Sequence, residues 1–376
     1  MIEIRQIEPT KRNLKEFAKY PIDVLYKDSP YYVPDLISDV VGTLMPSENP
    51  AFDFCESAYF MAYRDGKPVG RIAGIINHLV NKRSGKLEGR FGYIDFIDDD
   101  EVSSALVNAV TEWAKQKGMT CLTGPLGFTD MDQEGMLVEG FDEVSTQATI
   151  YNYPYYPQHM ERMGFVKDVD WLEFRVEVPD AVPEKMARIA RIVKQRLNID
   201  TVKYTNRKQL VKDYGNAIFK LINEAYDDLF GYSPLSEKQI KHYIKMYLPF
   251  LPLEDLSLVV KPDGELIGVG ISLPSLSQAL IKCRGRLFPT GWYHLLRAFK
   301  GKNETVDLLL IAVKPEYQGK GVNALFFDDL IPYFIKFGYK WADTGHELEE
   351  NERVQQQWQY FNYRQNKRRR AYTKEI

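Results

Sequence analysis

The chain has 376 residues, of which 44% are hydrophobic and 27% charged, a size and balance that fit two globular domains rather than one. Its 49 basic and 52 acidic residues leave a net charge of −3, which excludes a bulk field for nucleic acid. The scattered Cys55, Cys121 and Cys283 form no metal or redox spacing, the N-terminus lacks a signal-peptide core, and no apolar run is long enough to span a bilayer, so a cytoplasmic protein with packed thiols and no transmembrane segment is expected.

In chain order, Ile2–Ile7 reads as a strand, followed by helical segments over Leu14–Tyr26 and Val33–Leu44. Ala58–Tyr63 and Pro68–Ile76 alternate around Arg64-Asp65-Gly66-Lys67 as a hairpin. Gly92–Ile97 is a strand, Val102–Lys117 a helix ending at Gly118, and Thr120–Thr123 a strand. A helix near Gln158–Met163 and strands at Val166–Asp168 and Trp171–Val178 close the first half. The same order then recurs. Thr201–Tyr204 is a strand, Leu210–Leu229 and Glu237–Tyr247 are helices, and Ser257–Val260 with Leu266–Ile271 flank the turn Lys261-Pro262-Asp263-Gly264. The strand Leu308–Val313, a helix after Gly321, the strand Lys340–Asp343, a helix from Asn351 and a strand near Arg369–Thr373 complete it. This repeated order predicts a duplicated α/β (α+β) fold, domains 1–180 and 181–376, divided at the proline-framed linker Val178–Pro183.

The most informative stretch runs from Val313 to Asn323. A buried strand, a turn holding Gly319 and Gly321, and a helix start leave several N–H groups pointing one way, an anion site suited to phosphate, to which Lys320 adds charge. A P-loop needs GxxxxGK followed by Ser or Thr, and Val322 follows Gly321. The dinucleotide fingerprint GxGxxA is met by Gly319, Gly321 and Ala324, with Asp343 downstream. However, Pro315–Gln318 separate the strand from the first glycine, and too little chain follows for the remaining βαβ units. A glycine-rich helix cap with no ligand is the bland reading.

The pattern Val-x-Pro-x-Tyr-Gln-x-x-Gly, between a strand and a helix, resembles the pyrophosphate-binding signature of the GNAT superfamily of acyl-CoA-dependent N-acyltransferases. That signature is Arg or Gln, two residues, Gly, one residue, then Gly or Ala. Gln318, Gly321 and Asn323 take its three positions, Asn323 departing from the small residue. The resemblance covers most of the chain and implies two tandem GNAT-like domains, each a mixed, mostly antiparallel central sheet flanked by helices. It also implies that acetyl-CoA or another acyl-CoA is held by Ile311, Ala312 and Val313 on a splayed strand, by the turn Gln318, Gly319, Lys320, Gly321, Val322 and Asn323, and by Asn351. An amine, small-molecule or peptide, would attack the thioester directly. Candidate bases are Asp307, at the head of the strand, and His346, Glu347 and Glu350 beyond the next one. For the glutamates, helix capping is the rival reading. Trp358 stands where a proton-donating Tyr is usual and Phe361-Asn362 replaces Gly-Phe, leaving Tyr360 or Tyr363 as donors.

At the matching place the first half reads Asp98-Asp99-Asp100-Glu101, carboxylates that cap a helix and repel pyrophosphate. It keeps a Gly-Phe at Gly164-Phe165. The first domain is therefore expected to be a degenerate copy without a pyrophosphate loop. Its loop Gly124–Gly135 and the run Tyr151–Tyr156 read equally as a substrate wall or as ordered surface. Chains with such Gly-Pro, Gly-Phe loops resemble uncharacterised bacterial tandem GNAT-like proteins. The insertion Ser275–Lys302 reads as a helical cap, an acyl-chain channel or a membrane contact, and Lys367–Arg370 as a phosphate contact. The expected activity is N-acyl transfer by a monomer or homodimer. A non-catalytic acyl-CoA-binding sensor is the alternative, and transfer from charged tRNA, which needs a basic groove, is the third reading.

Overall fold

A computed structural model describes residues 1–300 and 303–376. The strands are β1 (Ile2–Ile7), β2 (Cys55–Arg64), β3 (Lys67–Asn77), β4 (Glu88–Phe96), β5 (Cys121–Gly124), β6 (Met136–Glu139), β7 (Val166–Glu177), β8 (Asp200–Val202), β9 (Leu256–Val260), β10 (Leu266–Pro274), β11 (Thr305–Val313), β12 (Trp341–Thr344), β13 (Glu347–Leu348) and β14 (Tyr363–Glu375). The helices are α1 (Lys11–Tyr20), α2 (Ile37–Leu44), α3 (His78–Ser84), α4 (Asp100–Gln116), α5 (Tyr155–Arg162), α6 (Glu184–Leu197), α7 (Arg207–Tyr226), α8 (Glu237–Tyr247), α9 (Ser277–Cys283), α10 (Gly291–Phe299), α11 (Asn323–Phe337) and α12 (Glu352–Gln355). No helix among the described residues is long and apolar enough to cross a membrane.

The chain forms two compact units. The first comprises Met1–Leu172, Leu276–Leu295 and Asn366–Ile376, and the second comprises Glu173–Ser275 and Leu296–Gln365. A cut at residues 180 and 181 assigns Leu276–Leu295 and Asn366–Ile376 to the second half, yet both belong to the first unit. The reason is pairing: Tyr372–Glu375 of β14 run antiparallel to Cys121–Gly124 of β5, and Ser277 Oγ donates to Ser145 O at 2.9 Å.

The first unit's sheet has the order β1-β2-β3-β4-β5-β14, with β6 pairing β14 at Arg368–Arg370, upstream of the stretch that pairs β5. The second unit's order, read the same way, is β8-β9-β10-β11-β12 and then the end of β7, Arg175–Glu177. In each, one neighbouring pair is parallel, β4 with β5 and β11 with β12, and the others are antiparallel. A bulge falls at one place in both. Register slips between Arg71 and Ala73 opposite β4, and between Ile271 and Ser272 opposite β11. A shared strand order with a shared bulge is the structural signature of duplication. Each unit also takes its last strand from the other half of the sequence.

In the first unit, Ile72, Phe91, Phe96, Leu106, Val110, Leu122, Tyr156 and Tyr372 form one core, with α4 burying Val102, Leu106 and Val110 at helical spacing. In the second, Phe326 of α11 packs on Gly268 and Gly270 of β10, with Ile218, Ile222, Val259 and Val269 buried. Some boundaries differ from sequence expectation. Helix α2 starts at Ile37 rather than Val33, because the residue before Pro34 is steered to extended backbone. Val166–Glu177 is one strand, and helix α6 follows the proline-framed linker, where the sequence pattern marks no element.

Candidate functional site

In the second unit, β11 pairs with β12 only from Thr305 to Leu308. The last link is Gly345 N donating to Leu308 O at 3.0 Å. Leu309 is the bulge residue, and beyond it β11 runs on without β12, leaving Leu309 exposed and Leu310 and Ile311 half-buried. The expected splayed strand therefore includes Ile311–Val313 and begins at Leu309. Tyr226, at the end of α7, donates its hydroxyl to Ile311 O at 3.0 Å. Burial raises the pKa of that phenol. Nothing local in the sequence marks Tyr226, because its partner is 85 residues away.

After β11, Pro315–Tyr317 make one tight turn and Gln318 folds back, its Nε2 donating to Val313 O at 3.0 Å. Gly319 and Gly321 take φ of +71° and +86°, the left-handed region that side chains resist. Methyls of Val193 and Ile189 on α6 lie 3.1 and 3.3 Å from where a Cβ on Gly321 would stand. Helix α6 thus forms the floor of the turn. The N–H groups of Gly319, Gly321, Val322 and Asn323 make no hydrogen bond among the described residues. These donors open α11, a 15-residue helix whose dipole adds positive potential. Lys320 is exposed, its Nζ 5.5 Å from the Tyr317 ring centroid.

Asn323 does not cap α11; its Nδ2 donates to Gln357 Oε1 at 3.2 Å. The departure from a small residue is thus tied to a second departure. Trp358 is buried edge-on to Phe327 of α11, with centroids 5.8 Å apart. Its indole Nε1 donates to Glu347 at 2.9 and 3.2 Å from the two carboxylate oxygens. Burial pushes the Glu347 carboxyl up to about 8, only partly opposed by the indole hydrogen bond. Among the predicted acids, Glu347 lies two residues beyond Gly345, where β12 leaves β11. Asp307 is buried in the paired part of β11, opposite Asp343, which Arg175 approaches at 3.3 Å. Glu350 is exposed in the turn before α12, and Asn351 holds the N-cap position, its carbonyl accepting from Val354 and Gln355. Tyr360 lies under Lys185, with Nζ 4.6 Å from the ring centroid.

The first unit is closed at the corresponding place. Leu126 N donates to Phe91 O at 2.9 Å, and a Cβ on Gly92 would lie 2.4 Å from Leu126 O, so only glycine admits this strand. Tyr155 donates to Phe96 O at 2.6 Å, and the Tyr156 hydroxyl accepts from Phe96 N at 3.1 Å. Asp99 accepts from the N–H groups of Glu101 and Val102, and Asp98 holds His159 Nε2 at 2.9 Å. The loop and tyrosines read as a substrate wall contribute Pro125–Gly127, Gln133 and Tyr151 to a small cavity of about 50 Å³ that Asp35, Arg71 and Tyr93 also line. Lys367–Arg370 are not poised for phosphate. Arg368 and Arg370 both bond Asp170, and Lys367 and Arg369 are buried.

Solved structures share this architecture. A tandem GNAT protein from the clavulanic acid biosynthesis pathway matches all of this chain and 98% of its own, with a TM-score of 0.58 at 13% identity. The fold is that of tandem GNAT proteins. A GCN5-related N-acetyltransferase from Sphaerobacter thermophilus matches all of this chain and 95% of its own, with a TM-score of 0.53 at 12% identity. Among curated proteins, Protein YghO of Escherichia coli K12 is 27% identical over 372 residues, covering 97% of this chain and 94% of its own length. The bacterial ceramide synthase of Caulobacter vibrioides is 28% identical over 312 residues, covering 82% and 80%. No family model matches the chain.

Proposed function

We propose that the protein is an N-acyltransferase that moves an acyl group from acyl-CoA to an amine, with acyl-CoA held in the second of two GNAT-like domains. The observation that carries this reading is the row of free N–H donors at Gly319, Gly321, Val322 and Asn323, opening α11 directly after an unpaired strand edge. Such a row fits a pyrophosphate, and Leu309–Val313 fits an extended amide-bearing arm. In this reading the cofactor-binding residues are Ile311, Ala312, Val313, Gln318–Asn323 and Asn351. The first domain, Met1–Asp180 by sequence, is the degenerate copy.

Acyl-CoA supplies an activated carbonyl whose C–S bond breaks as the C–N bond to the amine forms. The chain must take a proton from the amine and return one to the departing thiolate. We assign the first task to Glu347, whose raised pKa makes its carboxylate form, populated as pH rises towards 8, a stronger base than an ordinary glutamate, and whose orientation Trp358 fixes. Asp307 is locked in the paired strand and Glu350 faces solvent, so both rank below it. Tyr360, on the turn that carries Trp358, is our candidate for the second proton. Ceramide is a fatty amide of a long-chain amino alcohol. Likeness to a ceramide synthase therefore makes long-chain acyl-CoA and a lipophilic amine the first substrates to test.

Thiol release from acetyl-, medium- and long-chain acyl-CoA, measured against a panel of polar and long-chain amines, tests the reading. Amine-dependent thiol release that Glu347→Gln suppresses is the expected result. Tight acyl-CoA binding with no release for any amine would favour the sensor reading, to which Asn323 and Trp358 otherwise point.

A further inference from the structure

The segment between β10 and β11 has no equal in the first half, where β3 and β4 are joined by the short α3. From Leu276 to Lys300 it contains no Asp or Glu and five cations, Lys282, Arg284, Arg286, Arg297 and Lys300, in a chain whose net charge is −3. Gly301 and Lys302, which end the predicted insertion, lie outside the described residues.

Its stem is fixed to the first unit. Ile37 N donates to Gly285 O at 2.9 Å, Arg284 donates to Ile22 O at 2.8 Å, and Arg286 grips both oxygens of Asp23 at 2.7 and 2.8 Å. At Gly291 an added Cβ would meet Arg286 O at 2.0 Å, so the chain closes tightly on itself. From this stem the tip turns its apolar groups outward. Phe288 is 74% exposed and Leu287 36%, and the start of α10 presents Trp292 and Tyr293 at 47% and 48%. Trp292 Nε1 already donates to Pro289 O at 2.9 Å, so the indole asks nothing further of water.

A rigid stem holding Phe, Trp, Tyr and Leu outward, within an acid-free cationic segment, has the polarity of a headgroup-seated element. The rings enter the acyl boundary while the cations meet anionic headgroups. We propose that the tip Leu287–Tyr293 docks the protein on an anionic lipid bilayer. A second copy fits less well, because a self-complementary pairing would set exposed cations such as Lys282 against their own copies, with no acid in the segment to answer them.

The inference stands apart from the acyl-transfer reading, and its test needs no turnover. The full-length chain is sedimented with vesicles of phosphatidylcholine alone and of phosphatidylcholine with phosphatidylglycerol, in low and high salt. Binding to the anionic vesicles, at least about tenfold weaker without phosphatidylglycerol or in high salt, is expected. The double variant Phe288→Ser, Trp292→Ser should lose at least about tenfold more while the chain keeps a cooperative melting transition. No association of the wild type with anionic vesicles, or equal association of the double variant, would overturn the proposal. So would a concentration-dependent dimer, or capture of an acidic protein, that the double variant abolishes while vesicle binding persists.

Discussion

The two units place the same bulged strand before the same kind of helix, and differ in what meets the strand's free edge. In the first, β4 is answered by its own chain. Leu126 takes the carbonyl of Phe91, Tyr155 and Tyr156 take both backbone groups of Phe96, and Asp99 caps α4. In the second, β11 parts from β12 at Leu308, and the donors at the start of α11 are left open above a floor of Ile189 and Val193. A fold with backbone groups to spare can spend them on itself or on a ligand, because buried polar groups must pair with something. The tyrosines that seal the first wedge make it structural, and the glycines that hold the second open leave its donors available for the acyl-CoA we propose there.

The largest effect that separates the two is expected at the assigned base. Glu347→Gln should lower turnover by about 100- to 10,000-fold with little change in acyl-CoA affinity. In the wild type the rate should rise with pH to an apparent pKa near 8, since the carboxylate is the active form, and the variant should lose that limb. The same residue makes a stability prediction with a definite sign. Its pKa is raised by folding, so its contribution is full below the unfolded value and is lost as pH climbs through about 8. Unfolding curves of Glu347→Gln should therefore draw level with or exceed the wild type at alkaline pH.

The first unit answers with stability instead of activity. Arg71 and Asp95 are a buried pair at 2.8 Å, with Tyr26 also donating to Asp95. Arg71→Met leaves that carboxylate uncompensated and should cost about 3–5 kcal/mol in chemical unfolding. Calorimetric affinity for acyl-CoA should stay within a few fold. A large loss of affinity in a variant that is still folded would mean that the first unit takes part in binding.

Gly321→Glu attacks the open wedge through both a left-handed backbone and a repelling carboxylate at a helix N-terminus. It should weaken acyl-CoA binding by at least about 100-fold. Smallest is Tyr156→Phe, which removes the group that satisfies Phe96 N and bonds Asp95. It should cost about 1–2 kcal/mol and leave acyl-CoA binding unchanged.

Local chemistry made much of this legible in the sequence. Asp65-Gly66 and Asp263-Gly264 mark hairpins because the turn residues carry the signal, and β1 and α8 fall where periodicity places them. The glycine turn was readable because strand, turn and helix start are contiguous. Long-range pairings were not. That β14 completes the first sheet and the end of β7 the second depends on strand partners far apart in sequence, where either assignment satisfies the same alternation. The bond between Glu347 and Trp358 was hidden for a related reason. Trp358 read as a missing tyrosine, whereas its place is set by Phe327 and a carboxylate 11 positions back.

Isothermal titration of the full-length chain with acyl-CoA should give one site per chain, which Gly321→Glu abolishes while leaving the protein folded. Two sites, or a single site untouched by Gly321→Glu, would contradict the assignment of the open cradle to the second unit.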